Sequence, residues 1–479
     1  MTQELLVGDI FRNAARAVPE RLAAAHGDDT LTFGQLDRQA NQLARVLGVG
    51  RHERVAVWSN TELALAPVFG ALAKCGAVFA PVNGLLPVGE AAAVVASARP
   101  ALLLVDEAHA ADAAVVADKA GVPCRTLADV QAAATTADDG EVVGDGQRET
   151  DAHVVFFTSG STGVPKGVVL SHRVSVLRSH PGSQLEARGT MVCPYPLFHM
   201  GAFTIALQQW HARDAVIFTP ADAASICDAI ERHHAARINA IPGVWQRVLD
   251  HLDGRTLPSL RFADTGTSAT PLPLLQAIRA AAPNAQLRVF YGSTEAGGVA
   301  HLAHEDIDRK PGSCGVPAVL SEVRLDERGE LLVTGPLLFD GYFDNEEATA
   351  EALVDGWYRT GDLADIDDEG YLTIVGRARD VIRTGGESVV PAEVEAVVAE
   401  HPGVVDVAVV GLPDAQWGEI VCAVVVVTGA PPTLDDVVAH CDGRLAKFKR
   451  PRRLAVVDRI PRTPATNQVQ RRLLVEELS

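Results

Sequence analysis

From Thr158 to Gly167 the chain reads TSGSTGVPKG, a run of hydroxyl side chains and glycines closed by one lysine. A loop of that composition can wrap a polyphosphate. Glycines such as Gly160 and Gly163 let the backbone approach closely, the amides and the hydroxyls of Thr158, Ser159, Ser161 and Thr162 donate to phosphate oxygens, and Lys166 adds a positive charge. A flexible surface loop has a similar composition, so the run needs support from the rest of the chain. The nucleoside-triphosphatase loop is excluded on spacing, because it requires Gly-Lys-Ser/Thr and here Lys166 lies between Pro165 and Gly167. Three later segments also concentrate polar groups: YGSTEAG at Tyr291 to Gly297, WYRTGD at Trp357 to Asp362, and GRARDVIRTGGESVVPAEVE at Gly376 to Glu395. Read alone, Glu295 is equally a turn residue facing solvent, and Arg379 a solvated charge.

The elements around these segments alternate. RVAVW, GAVFAPV and ALLLVD read as apolar strands, with helix-like TELALAPVFGALAKCG and VGEAAAVVASA between them, a pattern that predicts a parallel sheet covered by helices. HVVFF at 153–157 reads as a buried strand ending at the Thr158 loop and followed by a helix, a position that ligands favour in α/β sheets. The polar, Gly/Asp-rich run at 130–150 reads as a surface connection. Near Arg379 the pattern changes: Pro391 opens a helix with acids in its first turn, and VVDVAVVGL, IVCAVVVV and RRLAVVD read as strands around the helix TLDDVVAHCDGRLA. The expected fold is α/β, a large N-terminal domain of helix-covered sheets over 1–378 and a small α+β domain over 379–479. With 61 acidic and 42 basic residues the formal charge is −19, which disfavours nucleic acid and anionic membrane as partners. The seven cysteines show no zinc-type spacing, no stretch reaches the uncharged length of a membrane span, and the start lacks a signal-type apolar run, so a reduced cytoplasmic protein is expected.

Taken together and in this order, the four segments closely resemble the signatures of the adenylate-forming superfamily of acyl-CoA synthetases, adenylation domains and firefly luciferase. The resemblance covers nearly the whole chain and implies an ATP-dependent acid–thiol ligase that forms an acyl adenylate and transfers the acyl group to CoA. By resemblance, Thr158 to Gly163 and Lys166 hold phosphates; Ser268, Ala269, Thr270, Tyr291, Gly292, Ser293 and Thr294 border the nucleotide; and Glu295 helps hold magnesium. Asp362 would bind the ribose hydroxyls, Arg377 would lie at the nucleotide, and Arg379 would be the swivel of a mobile C-terminal domain that brings Gly385 and Gly386 to the pantetheine arm. Such chemistry needs its phosphates neutralised and its reactants held in line, because a carboxylate is a poor nucleophile towards a triphosphate of like charge.

The tail departs from the family. Where the family carries a lysine that bridges the α-phosphate and the attacking carboxylate, this chain reads PRTPATNQVQRR; anchoring on Val469 puts Gln468 at that position, counting from Pro461 reaches Asn467, and no lysine follows Lys449. Glutamine keeps a donor but loses the charge, so adenylation should suffer while thiol attack need not. An introduced substitution and natural divergence with compensation both account for it. The acyl pocket is expected from YPLFHMGAF, with His199 as wall or gate, from Val244 and Trp245, and from Gly266 and Thr267; the family's usual Gly-Gly-Ala-Pro in the last segment is Thr-Ser-Ala-Thr here. Arg247 is the one obvious cation in these pocket segments, which favours a monocarboxylate of modest size over a dicarboxylate. KFKRPRRL, with Lys449, is either a solvated face or a contact for the phosphates of CoA. With no carrier domain in the chain, the thiol is expected from another molecule, CoA first and a separate carrier protein second. A non-thiol acceptor and an adenylation-deficient nucleotide-binding protein are the remaining alternatives.

Overall fold

The computed structural model describes residues 4–158, 165–181, 187–462 and 468–479. They form two compact units, one of residues 1–311, 318–321 and 334–358, the other of residues 312–317, 322–333 and 359–479. This division by packing differs from the expected boundary at Arg379. Residues 359–378 and two earlier segments join the C-terminal unit because the strand Trp357–Ile366 pairs with Leu372–Arg377 and belongs to one sheet with Glu330–Thr334.

In the first unit one sheet runs Gly341–Tyr342, Lys166–Ser171, Ala152–Thr158, Val78–Asn83, Arg54–Ser59, Leu102–Val105, Cys124–Thr126. From Ala152–Thr158 onward the strands are parallel, and their intervening helices Leu65–Cys75 and Val88–Ala98 match the sequence expectation closely. A second sheet carries the parallel strands Gln286–Ser293, Phe262–Gly266, Arg237–Asn239, Met191–Cys193, Val216–Phe218 and Leu22–His26. The helix Phe33–Leu47, which packs against Leu65–Cys75, opens on a capping box between Thr32 and Gln35.

One expectation is corrected. The next described element after HVVFF is a strand and not a helix: Ala152–Thr158 pairs antiparallel with Lys166–Ser171, and the helix His172–Ser179 begins only after it. Pro165 and the β-branched pair Val168–Val169 favour extended backbone, with Val168 and Leu170 buried. The helix start signal is Ser171, whose hydroxyl accepts from the Val174 amide at 3.3 Å. The second unit is α+β, with strands Ile382–Thr384, Gly418–Val427, Val404–Asp414 and Arg453–Val456 around the helices Pro391–Val398 and Leu434–His440.

Candidate active site

In the first unit the described candidates include Thr158 and Lys166 in the arms of the hairpin and residues at or just beyond the carboxyl ends of parallel strands, where open α/β sheets bind ligands. Thr158 and Lys166 are direct cross-strand partners. Ser159, Gly160, Ser161, Thr162 and Gly163 lie outside the described residues. Gly167 lets the hairpin close on its neighbours, since a Cβ there would meet Val155 Cγ1 at 2.8 Å. Alongside the Lys166 arm runs Gly341–Tyr342, with Tyr342 opposite Val168. The Lys166 ammonium lies 5.0 Å from the centroid of the Tyr342 ring, and the Tyr342 hydroxyl donates to Glu295 Oε1 at 3.1 Å. Tyr342 therefore joins the expected phosphate loop to the expected metal carboxylate. Burial and the Glu295 charge push its phenol up from the ordinary value, so it remains a donor at neutral pH. Tyr358, nine-tenths or more buried beside the same carboxylate, is pushed up for the same reasons.

The turn that carries Glu295 is tight. A Cβ on Gly292 would lie 2.1 Å from the Gly297 carbonyl oxygen, and the Ser293 hydroxyl accepts from the Ala296 amide at 3.1 Å. Tyr291 follows Phe290, whose strand pairs in parallel register with Gly266. A Cβ on Gly266 would meet the Phe290 carbonyl oxygen at 2.3 Å, so glycine is required there. Ser268 and Ala269 are exposed, while Thr270 is buried with its hydroxyl on the Ser268 carbonyl at 3.4 Å. Thr267 is exposed with φ +73, a left-handed conformation unfavourable for a β-branched side chain.

Around the expected acyl pocket, the buried Tyr195 donates to Asn239 Oδ1 at 2.9 Å and stacks on His199 with ring centroids 6.0 Å apart. His199 caps the helix Met200–His211 by accepting from the Gly201 amide at 3.0 Å, and burial pushes its pKa down to about 4, so it is neutral at physiological pH. A small apolar recess is lined by Leu65, Phe69, Phe79, Leu197, Phe203 and Trp210 among others, two of them flanking His199 in the chain. Val244 is buried and Trp245 wholly so, its indole N–H on the Asp264 carbonyl at 3.0 Å. Trp245 thus supports the Phe262–Gly266 strand from within the core. Arg247 is exposed and reaches the Ala221 carbonyl at 3.1 Å.

In the second unit Asp362, 5% exposed, pairs across the strands with Arg377 at 2.6 Å. Arg379 is largely exposed, with Asp380 at 3.6 Å. Gly385 and Gly386 both take positive φ, and a Cβ on Gly385 would strike the Trp417 ring at 2.7 Å. The Arg452 guanidinium lies over that same ring at 3.8 Å. Lys449 is held by both oxygens of Glu393, at 2.6 and 2.7 Å. Gln468 is exposed and precedes Val469, which bridges to Arg462.

Sequence reasoning did not single out Tyr342, Tyr358 or the buried Arg178 beneath the Glu295 turn. Their partners lie far away in sequence, and only the tertiary fold brings them together. Among the described residues no cluster of three or more His, Cys, Asp or Glu could by itself hold a metal ion. A lone hard carboxylate such as Glu295 fits magnesium, which is usually held by one or two carboxylates together with substrate phosphates and water.

Two family models match the chain: that of the AMP-binding enzymes over residues 11–343 and that of the AMP-binding enzyme C-terminal domain over residues 393–466. The chain is 32% identical to the long-chain-fatty-acid–CoA ligase FadD13 of Mycobacterium tuberculosis, covering 99% of this chain and 98% of that protein. It is 34% identical to the feruloyl-CoA synthase of an Amycolatopsis species over 94% of each. Among solved structures, ATP-bound MatB from Rhodopseudomonas palustris is similar at a TM-score of 0.87, 28% identity and 98% coverage of both chains. The o-succinylbenzoate CoA synthetase of Bacillus subtilis with its acyl-adenylate intermediate is similar at 0.88, 26% identity and coverage of 99% of this chain and 98% of that one. With a family model spanning more than half of the sequence and relatives matched from end to end, the chain belongs to the AMP-binding enzyme family.

Proposed function

We propose that the chain is an AMP-forming acid–thiol ligase: it activates a carboxylic acid with ATP as the acyl adenylate, releases pyrophosphate, and passes the acyl group to CoA. Family membership and end-to-end similarity to proteins named as CoA ligases support the activity. The residue-level reading rests on one observation, the link from Lys166 through Tyr342 to Glu295. A cation and a carboxylate held on either side of one tyrosine suit a triphosphate together with its metal.

In this reading the Thr158 to Gly163 loop and Lys166 grip the phosphates, Gly266 to Thr270 and Tyr291 to Thr294 border the nucleotide, and Asp362 takes the ribose hydroxyls near Arg377. Glu295 would hold magnesium, which supplies charge neutralisation across the phosphate oxygens as pyrophosphate leaves. Neutral His199 walls the acyl side, where it cannot repel or trap a charged group. The C-terminal domain, pivoting at Arg379, brings Gly385 and Gly386 towards the thiol, and Lys449 stands near the CoA end. Arg247, the one obvious cation in the expected pocket segments, is exposed and reaches the Ala221 carbonyl, which supports a monocarboxylate of modest size. Gln468 in the lysine position slows the first half-reaction. The seven cysteines are all free, which suits a cytosolic setting. Among the described residues no helix is long and apolar enough to cross a membrane.

A panel of carboxylic acids with ATP, each with and without CoA, tests the proposal by pyrophosphate and thioester release. Failure of every acid to support AMP formation, in the parent and in Gln468→Lys alike, would overturn it. Product formed on phosphopantetheinylated carriers but not on CoA would move the acceptor to a carrier protein.

A further inference from the structure

Arg178 lies in the last turn of the helix His172–Ser179 and is buried, yet its acceptors are backbone carbonyls alone. Its Nη1 donates to the Thr294 carbonyl at 2.9 Å and its Nη2 to the Glu295 carbonyl at 2.8 Å. Nε and Nη2 both reach the Leu337 carbonyl, at 2.9 and 2.6 Å. Burial lowers its pKa to about 10, which leaves it a cation at neutral pH. A buried cation costs stability unless its hydrogen bonds are well satisfied, and here all of them are spent on the backbone of two segments.

Those two segments meet at the candidate metal carboxylate. Thr294 and Glu295 form the turn itself; Leu337 leads into Phe339, whose amide donates to the Glu295 carbonyl at 2.7 Å, and on to Tyr342, whose hydroxyl holds the Glu295 carboxylate. Gly297 leaves room for this arrangement, since a Cβ there would sit 2.9 Å from Arg178 Nε. From the other side, Gln208 donates to the Arg178 carbonyl at 3.2 Å, and Gln208 belongs to the helix capped by His199. The guanidinium fork thus pins the backbone of Glu295 from below while Tyr342 pins its side chain.

We propose that Arg178 is a positioning residue for adenylation, setting the Thr294–Glu295 turn so that the carboxylate faces the magnesium of the bound nucleotide. This rests on the reading of Glu295 as the metal carboxylate. Arg178 touches neither substrate nor metal, so its loss should act on the metal dependence of nucleotide binding rather than on nucleotide binding as such. Truncating an outer-shell partner of a metal ligand commonly costs about 10- to 100-fold in metal affinity.

The test is calorimetric titration of ATP into the full chain, once with magnesium and once with a chelator, for the parent, Arg178→Met, Arg178→Lys, Gly297→Ala and Glu295→Gln. The ratio of the two affinities measures the metal contribution. It should fall about tenfold or more in Arg178→Met, with affinity in chelator nearly unchanged, and Arg178→Lys should rescue it only in part because a point charge cannot span three carbonyls. Should Arg178→Met fail to fold by circular dichroism, Gly297→Ala and Arg178→Lys carry the same readout. A parental ratio in the folded variants, or equal weakening with and without magnesium, overturns the inference. If Glu295→Gln itself leaves the ratio unchanged, the reading of Glu295 falls and takes the inference with it; if Glu295→Gln abolishes the metal effect and Arg178→Met does not, only the inference falls.

Discussion

Replacing Tyr342 with phenylalanine removes one oxygen and separates the two roles of this side chain. The ring stays, so its face towards the Lys166 ammonium at 5.0 Å is kept; the hydroxyl that donates to Glu295 Oε1 at 3.1 Å is lost. A hydrogen bond to a charged acceptor is worth about 1.5–3 kcal/mol. If the carboxylate needs that bond to stay oriented as pyrophosphate leaves, adenylation slows by about 10- to 150-fold at roughly 1.4 kcal/mol per decade. Tyr342→Leu removes the ring as well and should cost a further ~0.5–1 kcal/mol at Lys166. Pyrophosphate release, followed over a magnesium titration at saturating ATP and acid, measures both losses. Because the phenol is pushed above its ordinary value, the parent should show no alkaline decline from this group below about pH 10. A double-mutant cycle with Glu295→Gln should recover most of the Tyr342→Phe effect as coupling between the two positions. If Tyr342→Phe keeps the parental rate at every magnesium concentration, or its loss simply adds to that of Glu295→Gln, the hydroxyl does not act through the carboxylate and the reasoning fails.

Gln468→Lys should raise pyrophosphate release by ~10² to 10³ while leaving thioester formation from preformed acyl adenylate unchanged, with quench-flow assays of each half-reaction as the check. Asp37→Ala strands the ammonium of Lys74, which is fully buried and held at 2.5 Å by Asp37 and at 2.7 Å by Asn41; breaking such a pair should lower stability by about 3–5 kcal/mol in urea unfolding. His172, His199 and His211 all have folded-state pKa values lowered to about 4 by burial, so the neutral form is favoured in the native state. Their contribution is full above the unfolded pKa of about 6.5 and is lost as pH falls through about 4. Urea unfolding at stepped pH should show that decline, and His172→Gln, which keeps an acceptor for the Val7 amide now 3.2 Å from Nδ1, should flatten it.

The division of the chain into helix-covered sheets and a small α+β unit was legible because apolar periodicity and helix signals are local. VGEAAAVVASA became the helix Val88–Ala98, and Pro391 opens Pro391–Val398 as its N1 chemistry demands. Local pattern failed where two readings share one composition: a strand followed by Gly and Ser leads to a helix or to a hairpin, and Val168 with Val169 decided for the hairpin. The site was legible as motifs but not as a framework. Lys166 stands out in its loop by type, and Glu295 and Asp362 are singled out by resemblance, whereas Arg178 and Tyr342 gain their meaning only from partners more than a hundred and nearly fifty residues away. Trp245, expected in a pocket segment, is wholly buried with its indole N–H on the Asp264 carbonyl, a contact that its spacing alone does not reveal.

The hairpin also limits how this protein can vary. Thr158 and Lys166 face one another across the two arms, and Gly167 fills the next rung, where no larger side chain fits beside Val155 and Phe343. A slip of one residue between the arms would turn Lys166 to the opposite face of the sheet and bring Gly167 to the rung opposite Thr158. The alignment of these two arms, Thr158 opposite Lys166 and Phe157 opposite Gly167, must therefore be inherited unchanged.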